Sequence, residues 1–342
     1  MFLFNANFNS SRSLLKLDQL LLLIALGSAV AKVGSRLTWA WLGLPLALIW
    51  TSLLVLGQFV AQHSTGLWIL GERTFSLITP GISRLDLGTF GEYLRPYATF
   101  SHPNSLAGFL LVGVFLVSAL KYRYPLWLTA LSVSLSTLAL FLSASRSVIL
   151  TGALLLSLTL LRKIFSLFQI IIISLAIFLF LFVISNFKFQ ISNFSDLSLA
   201  RRQDLIKFSL VTFTQNPIFG VGLNNFIPTL GYTLPSPNYP AISSPVLWLQ
   251  PVHNVFLLIL VETGLFGFSI FIYFLWSTLK ILFNSHFSLP LPAGRQGTFH
   301  LFLCLSFTAI ILTSLFDHYW FTLVQNQLLA SIVFALIWAN KT

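Results

Sequence analysis

Apolar positions run along this chain in long stretches, not in the alternation of a half-buried strand or the stripe of a soluble helix. A helix that crosses a bilayer needs about 20 mostly apolar residues. Nine stretches qualify as spans, near 17–31, 37–60, 105–120, 125–143, 147–161, 167–186, 252–278, 300–316 and 320–338. The run 171–184 has Ser174 as its one polar residue, whereas the first and fifth spans are short. Two long connections, 61–104 and 187–251, are rich in Gly, Pro, Asn and Ser and too polar to span. Ordered loops of that length are usually functional. The stretch 290–297 reads as a flexible turn, and no repeat of fixed period is present. The pattern predicts an all-α fold: a polytopic transmembrane helical bundle of about nine spans, forming a single transmembrane domain over 1–342.

The second long loop is expected to carry a helix of its own over 198–216, capped by Ser198 and ended by Asn216-Pro217. Leu205, Ile206, Leu210 and Phe213 form an apolar stripe, with Gln203, Asp204 and Lys207 mostly off it. Such a helix lies in the membrane interface rather than across it. Arg202, Ile206, Ser209 and Phe213 share the helical spacing, so Arg202 is predicted to continue the buried side and Arg201 to point sideways.

Composition agrees with a membrane protein. Apolar residues make up 56% of the 342, and charged residues 8%. A soluble domain carries about 25% charge, so that class is excluded, and so is disorder, which needs low hydrophobicity. One cysteine, Cys304, excludes a disulfide scaffold. The net charge of +11 would suit nucleic acid, but the charges fall elsewhere. The alternate connections 32–36, 121–124, 162–166 and 279–299, with the C-terminal tail, hold Lys32, Arg36, Lys121, Arg123, Arg162, Lys163, Lys280, Arg295 and Lys341, and no acidic residue. The positive-inside rule places them in the cytoplasm and both long loops outside. The basic excess then reflects topology and anionic lipid, not nucleic acid. Nine spans with a cytoplasmic C-terminus leave Arg12 and Lys16 on the outer side, with no cleaved signal in view.

The polar residues near the outer surface are few. They are His102-Pro103-Asn104, the run 143–147 (SASRS), Arg201, Arg202 and Lys207, His253-Asn254 with Glu262 beyond, and Asp317-His318. Arg146 reads either as a headgroup anchor or as an anion ligand, since a guanidinium offers a fixed fork to phosphate oxygens. Arg202 binds lipid headgroups loosely or a phosphate at the membrane surface. His253 heads a helix, where a positive dipole end keeps an imidazole neutral and fit to act as a general base; a plain interface histidine is the alternative. His102 and His318 share that ambiguity, and His63, His286 and His300 read as solvated or interfacial. The turn 217–226 reads as a connector with two glycines. There is no HExxH, no DxD, no Cys/His cluster of metal spacing and no P-loop. Neither metal nor cofactor is expected, and mid-membrane charges for ion-coupled transport are lacking.

In their order, four elements resemble the O-antigen ligase and polymerase superfamily of bacterial membrane glycosyltransferases. They are 143–150 (SASRSVIL), Arg202 fifteen residues before the Pro-Ile-Phe-Gly-Val-Gly turn, His253-Asn254 followed by Glu262-Thr263-Gly264 and Gly267, and Asp317-His318-Tyr319 before a last span. Pro103-Asn104 fits as well, so the resemblance covers about 100–340. It implies a GT-C-like helical fold of about twelve spans, hence about three N-terminal helices fewer here, which would account for the N-terminal orientation. It also implies transfer of a glycan from a polyprenyl (undecaprenyl) diphosphate carrier to a glycan, lipid or protein hydroxyl, on the outer face of the bacterial inner membrane. The catalytic residues would be His253, Arg202 and Arg146, with Arg201, Asn254, His102, Asn104 and His318 near substrate; Glu262 and Asp317 are expected to be helix-end and packing groups. A glycan transporter or flippase, or an inactive shortened remnant, are the competing readings.

Overall fold

The computed structural model describes residues 10–33, 40–86, 88–160, 169, 173, 197–233, 249–284 and 296–339. In chain order these form α1 (Ser10–Val33), α2 (Gly43–Ala61), β1 (Arg84–Asp86), β2 (Glu92–Leu94), α3 (Pro103–Ala119), α4 (Leu126–Leu142), α5 (Arg146–Leu160), α6 (Leu197–Gln215), α7 (Phe226–Thr233), α8 (Val255–Asn284), α9 (Gln296–Ser314), α10 (Tyr319–Thr322) and α11 (Val324–Trp338). Eight of the nine predicted spans coincide with a helix. The sixth, 167–186, lies outside the described residues apart from 169 and 173, as do most of the turn 290–297 and the side chains of Arg36, Arg162, Lys163, Ser198, His286, Arg295 and Lys341.

Helices α1, α2, α8 and α9 are long and apolar enough to cross a membrane. The others, α3, α4, α5 and α11, are apolar but only 15 to 17 residues long. At about 1.5 Å per residue they reach some 22–26 Å, short of a hydrocarbon core of about 30 Å. The protein is thus a helical membrane protein. The small hairpin of β1 and β2 in the first long loop is an addition the hydropathy pattern did not show; it pairs antiparallel, Leu85 opposite Tyr93.

The chain divides into two compact units. One comprises Met1–Leu26, Phe180–Lys280 and Ser314–Thr322; the other comprises Gly27–Leu179, Ile281–Thr313 and Leu323–Thr342. In the second unit α3 is central, packed against α2, α4, α5 and α11. It is apolar all round, as a helix enclosed by others must be, and Leu106, Leu110, Val112, Leu116 and Val117 are all buried. Small residues bring the helices close. A Cβ on Gly113 would stand 2.6 Å from Leu48 of α2, and the Ser52 and Ser136 hydroxyls meet at 3.3 Å between α2 and α4. Close small-residue contacts and shared hydroxyls are the usual means of joining helices in lipid.

The first unit has its own core. Leu205 and Phe208 of α6, Val221, Phe226 and Leu230 of the turn and α7, and Val252, Leu258 and Val261 beside and within α8 pack together, all buried. Each such side chain contributes about 1.5–3 kcal/mol by leaving water. That cluster fixes α6 against the start of α8.

Candidate functional site

The segment taken from sequence as a mere connector is a structural key. Helix α8 is interrupted at Gly264, whose backbone (φ 64°, ψ −170°) is non-helical. A break leaves carbonyls and N–H groups without helical partners, which is costly where water is scarce. The turn after α6 supplies them. Val221 and Gly222 donate N–H to the carbonyls of Val261 and Glu262 at 3.0 and 2.8 Å, and Leu265 and Phe266 donate to Pro217 and Ile218 at 2.8 and 3.1 Å. Gly220 and Gly264 permit the approach, since a Cβ on either would collide with the opposing backbone. The Glu262 carboxylate is buried and accepts the N–H groups of Asn224 (2.8 Å) and Phe226 (3.4 Å) at the start of α7. It is the helix-end group expected of it.

The start of α8 holds the histidine. Asn254 caps the helix: its Oδ1 accepts the Leu257 N–H at 2.9 Å, while its Nδ2 donates to the Leu315 carbonyl at 3.1 Å. Both ends of that amide are engaged, so it positions the turn before α10. There Asp317 Oδ1 lies 3.3 Å from His253 Nδ1 and accepts the His318 N–H at 2.8 Å. A carboxylate only accepts, so His253 carries its proton on Nδ1 and leaves Nε2 with the lone pair. His318 stands beside it, ring centroids 5.3 Å apart. Asp317 therefore does more than packing: its partner is 64 residues away, a proximity that linear spacing does not reveal. Its adjacency to His318, in a chain with eight acidic residues, was the available signal.

Lys16 of α1 is buried and donates to the Phe321 carbonyl at 2.7 Å, at the end of α10. It is placed where a cation suits the carbonyl end of a helix. Ser13 of the same helix donates to the Leu223 carbonyl at 2.9 Å and accepts from Asn225 Nδ2 at 2.8 Å. The N-terminal residues thus brace both turns.

On α6 the predicted stripe holds at Leu205, Ile206 and Phe213 and departs at Leu210. The fully buried positions are Leu205, Phe208, Ser209 and Thr212, whereas Leu210 is 50% exposed. That stripe runs back to Arg201, whose Nε is buried with no hydrogen-bond partner among the described residues. Arg202 is partly buried too. Packing of α6 on Phe226 and Leu258 engages Leu205, Ile206 and Phe213 and leaves Leu210 outside the core.

The second unit holds the remaining residues. Arg146 is the first residue of α5 and is exposed. The turn before it has Ala144 in the left-handed region (φ 51°) and is held by Arg95, which donates to the Ser143 carbonyl (2.8 Å), Ser83 Oγ (2.9 Å) and Asn104 Oδ1 (3.0 Å). His102 caps α3, its Nδ1 accepting the Asn104 N–H at 3.1 Å, with Pro103 at the first helical position. His102 and Asn104 are engaged in this framework. Arg95 and Glu72 were missed in sequence. Glu72 is buried and accepts from Thr65 N–H, Thr65 Oγ1, Leu67 N–H and Gln58 Nε2. Burial alone would raise its carboxyl; the four hydrogen bonds outweigh that and hold it below its ordinary range.

Residues 131–272 match the family model described as O-antigen ligase, which shows the resemblance to that superfamily. The match is narrower than the motifs suggested. It includes Arg146, Arg201, Arg202, His253 and Asn254 and stops short of His102, Asn104, Asp317 and His318. No curated protein matches the chain.

Proposed function

We propose that this protein, with its O-antigen ligase match over 131–272, is a bacterial membrane glycosyltransferase that moves a glycan from a polyprenyl diphosphate carrier to an acceptor hydroxyl on the outer face. The observation that carries the reading is the His253–Asp317 pair at the head of α8, in the same unit as Arg201 and Arg202. His253 Nε2 takes the proton of the acceptor hydroxyl. The acceptor oxygen bonds to the anomeric carbon, the bond from that carbon to the phosphate oxygen breaks, and the carrier diphosphate departs with the electron pair. Asp317 holds the imidazole in its reactive tautomer and stabilises the imidazolium that forms.

The leaving diphosphate gains negative charge, so fixed cations aimed at it lower the barrier. Arg202 is the leading candidate, and the unsatisfied Nε of Arg201 gives a second donor whose unmet hydrogen bond a phosphate oxygen would fill. Arg146, exposed at a helix N-terminus, joins a guanidinium to the positive end of a helix dipole, a combination suited to phosphate. The guanidiniums of Arg201 and Arg202 serve the role that a metal ion has in other transferases. The exposed Leu210 and Val211 of α6 support an interfacial seat for that helix, where lipid carrier and aqueous acceptor meet.

The test is transfer in proteoliposomes from a labelled polyprenyl-diphosphate oligosaccharide to a panel of acceptors, with chelator present. Wild-type protein is expected to form product, and His253→Ala to lose at least about 100-fold. Transfer by His253→Ala at the wild-type rate would overturn the assignment of the base.

A further inference from the structure

Three donor groups converge where the proposed base lies: one ring nitrogen each of His253 and His318 and an Asp317 carboxylate oxygen lie within 4.8 Å of one another, and His253 Nδ1 is the nitrogen 3.3 Å from Asp317 Oδ1. His318 Nε2 is 3.8 Å from Asp317 Oδ1. The other nitrogen of His318 is held in place: Nδ1 lies 2.7 Å from the Thr322 hydroxyl oxygen, which can accept its hydrogen when Nε2 binds an ion. Orientation of one imidazole nitrogen by a hydrogen bond at the other is how histidine ligands to metals are held.

We propose that His253, Asp317 and His318 form a three-ligand site for a divalent transition-metal ion, zinc in the first place, and that its occupancy switches transfer off. Two imidazoles and one carboxylate are a donor set that zinc favours, at bonds of about 2.0–2.2 Å. Tetrahedral bonds of that length separate the donors by about 3.4 Å, so a slight closing of the present arrangement completes the site. The side chains are 15%, 8% and 17% exposed, near enough to the surface for an ion to enter.

Inhibition rests on the transferase reading above and follows from the tautomer. Without metal, Asp317 keeps the proton on Nδ1 and leaves Nε2 free to accept. A metal bound at Nδ1 takes that lone pair, the ring proton moves to Nε2, and His253 can no longer accept a proton there. The metal also draws the Asp317 carboxylate away from its orienting role. The ion is thus no participant in the reaction, and chelator leaves turnover unchanged or raises it.

The experiment uses the full-length protein in detergent, stripped by chelator and then freed of it. Cobalt(II) is added as a spectroscopic stand-in, and zinc affinity is read by competition with a chromophoric chelator. The expected result is one cobalt per chain with the intense visible absorption of a four-coordinate site, discharged by zinc and absent in Asp317→Ala. Thr322→Val, which keeps all three ligands but removes the support of His318, is expected to bind zinc about tenfold more weakly. Its transfer activity should persist, with inhibition by zinc shifted by the same factor. Wild-type protein without the cobalt spectrum, or Asp317→Ala with an unchanged one, overturns the site. Transfer that proceeds at saturating zinc overturns the switch. A cobalt site in a protein that transfers no glycan in any form would support metal binding while ending the transferase reading.

Discussion

Arg202 and Lys207 sit on one helix in different surroundings. Lys207 is exposed and reaches Asp204 at 3.9 Å, an ion pair of little consequence in water. Arg202 is partly buried beside Arg201. If it grips phosphate through its planar fork, Arg202→Lys keeps the charge and loses the fork. That variant is expected to transfer glycan at least about tenfold more slowly in the proteoliposome assay; full activity would mean a mere surface charge. Position was legible where it depends on a residue's own helix, as for His253 at the head of α8. A distant partner was not legible: nothing in sequence places Asp317 beside residue 253, and the exposure of Leu210 depends on Phe226 and Leu258 covering the face of Leu205, Ile206 and Phe213 instead.

At the scale of elements, backbone groups set the constraints. Gly264 occupies a region of positive φ and extended ψ open essentially to glycine alone, at a cost of about 1–3 kcal/mol for other residues. Gly264→Ala would also drive a methyl group into the Ile218 carbonyl. Its thermal midpoint in detergent is expected to fall clearly below that of wild type, whereas Gly43→Ala, with nothing within 4 Å of the added carbon, should match it. The first long loop depends on Glu72 in a different manner. Its carboxyl titrates lower in the folded protein than in the unfolded chain, so its stabilisation is complete above the unfolded value of about 4.3 and disappears as pH falls through the folded value. Glu72→Gln should melt earlier than wild type at pH 7 and lose less on acidification; parallel melting curves for the two proteins from pH 7 to pH 3 would refute that role. Hydropathy located the helices because a span is a local property. The hairpin of β1 and β2, the short α7 and the docking of 217–222 were hidden, since each depends on pairing that periodicity does not encode.

For the whole molecule, the sequence resolved the class and left the count open. Eight apolar stretches became helices, but four of these are shorter than a bilayer's hydrocarbon core. The basic connections predict an orientation: by the positive-inside rule His253 should lie on the side opposite Lys121 and Arg123. A His253→Cys variant, made with the buried Cys304 replaced by serine, is expected to react with an impermeant thiol reagent applied outside intact cells. Labelling confined to inverted vesicles would reverse the topology. The broken helix carries a further consequence, for biogenesis. By hydropathy alone, 255–283 is one continuous apolar segment of 29 residues. The insertion machinery reads that hydropathy and would admit it as one rod. The interruption at Gly264 instead takes its hydrogen-bond partners from the 217–222 segment, which is synthesised earlier, so the break is a tertiary property that the apolar segment does not encode by itself.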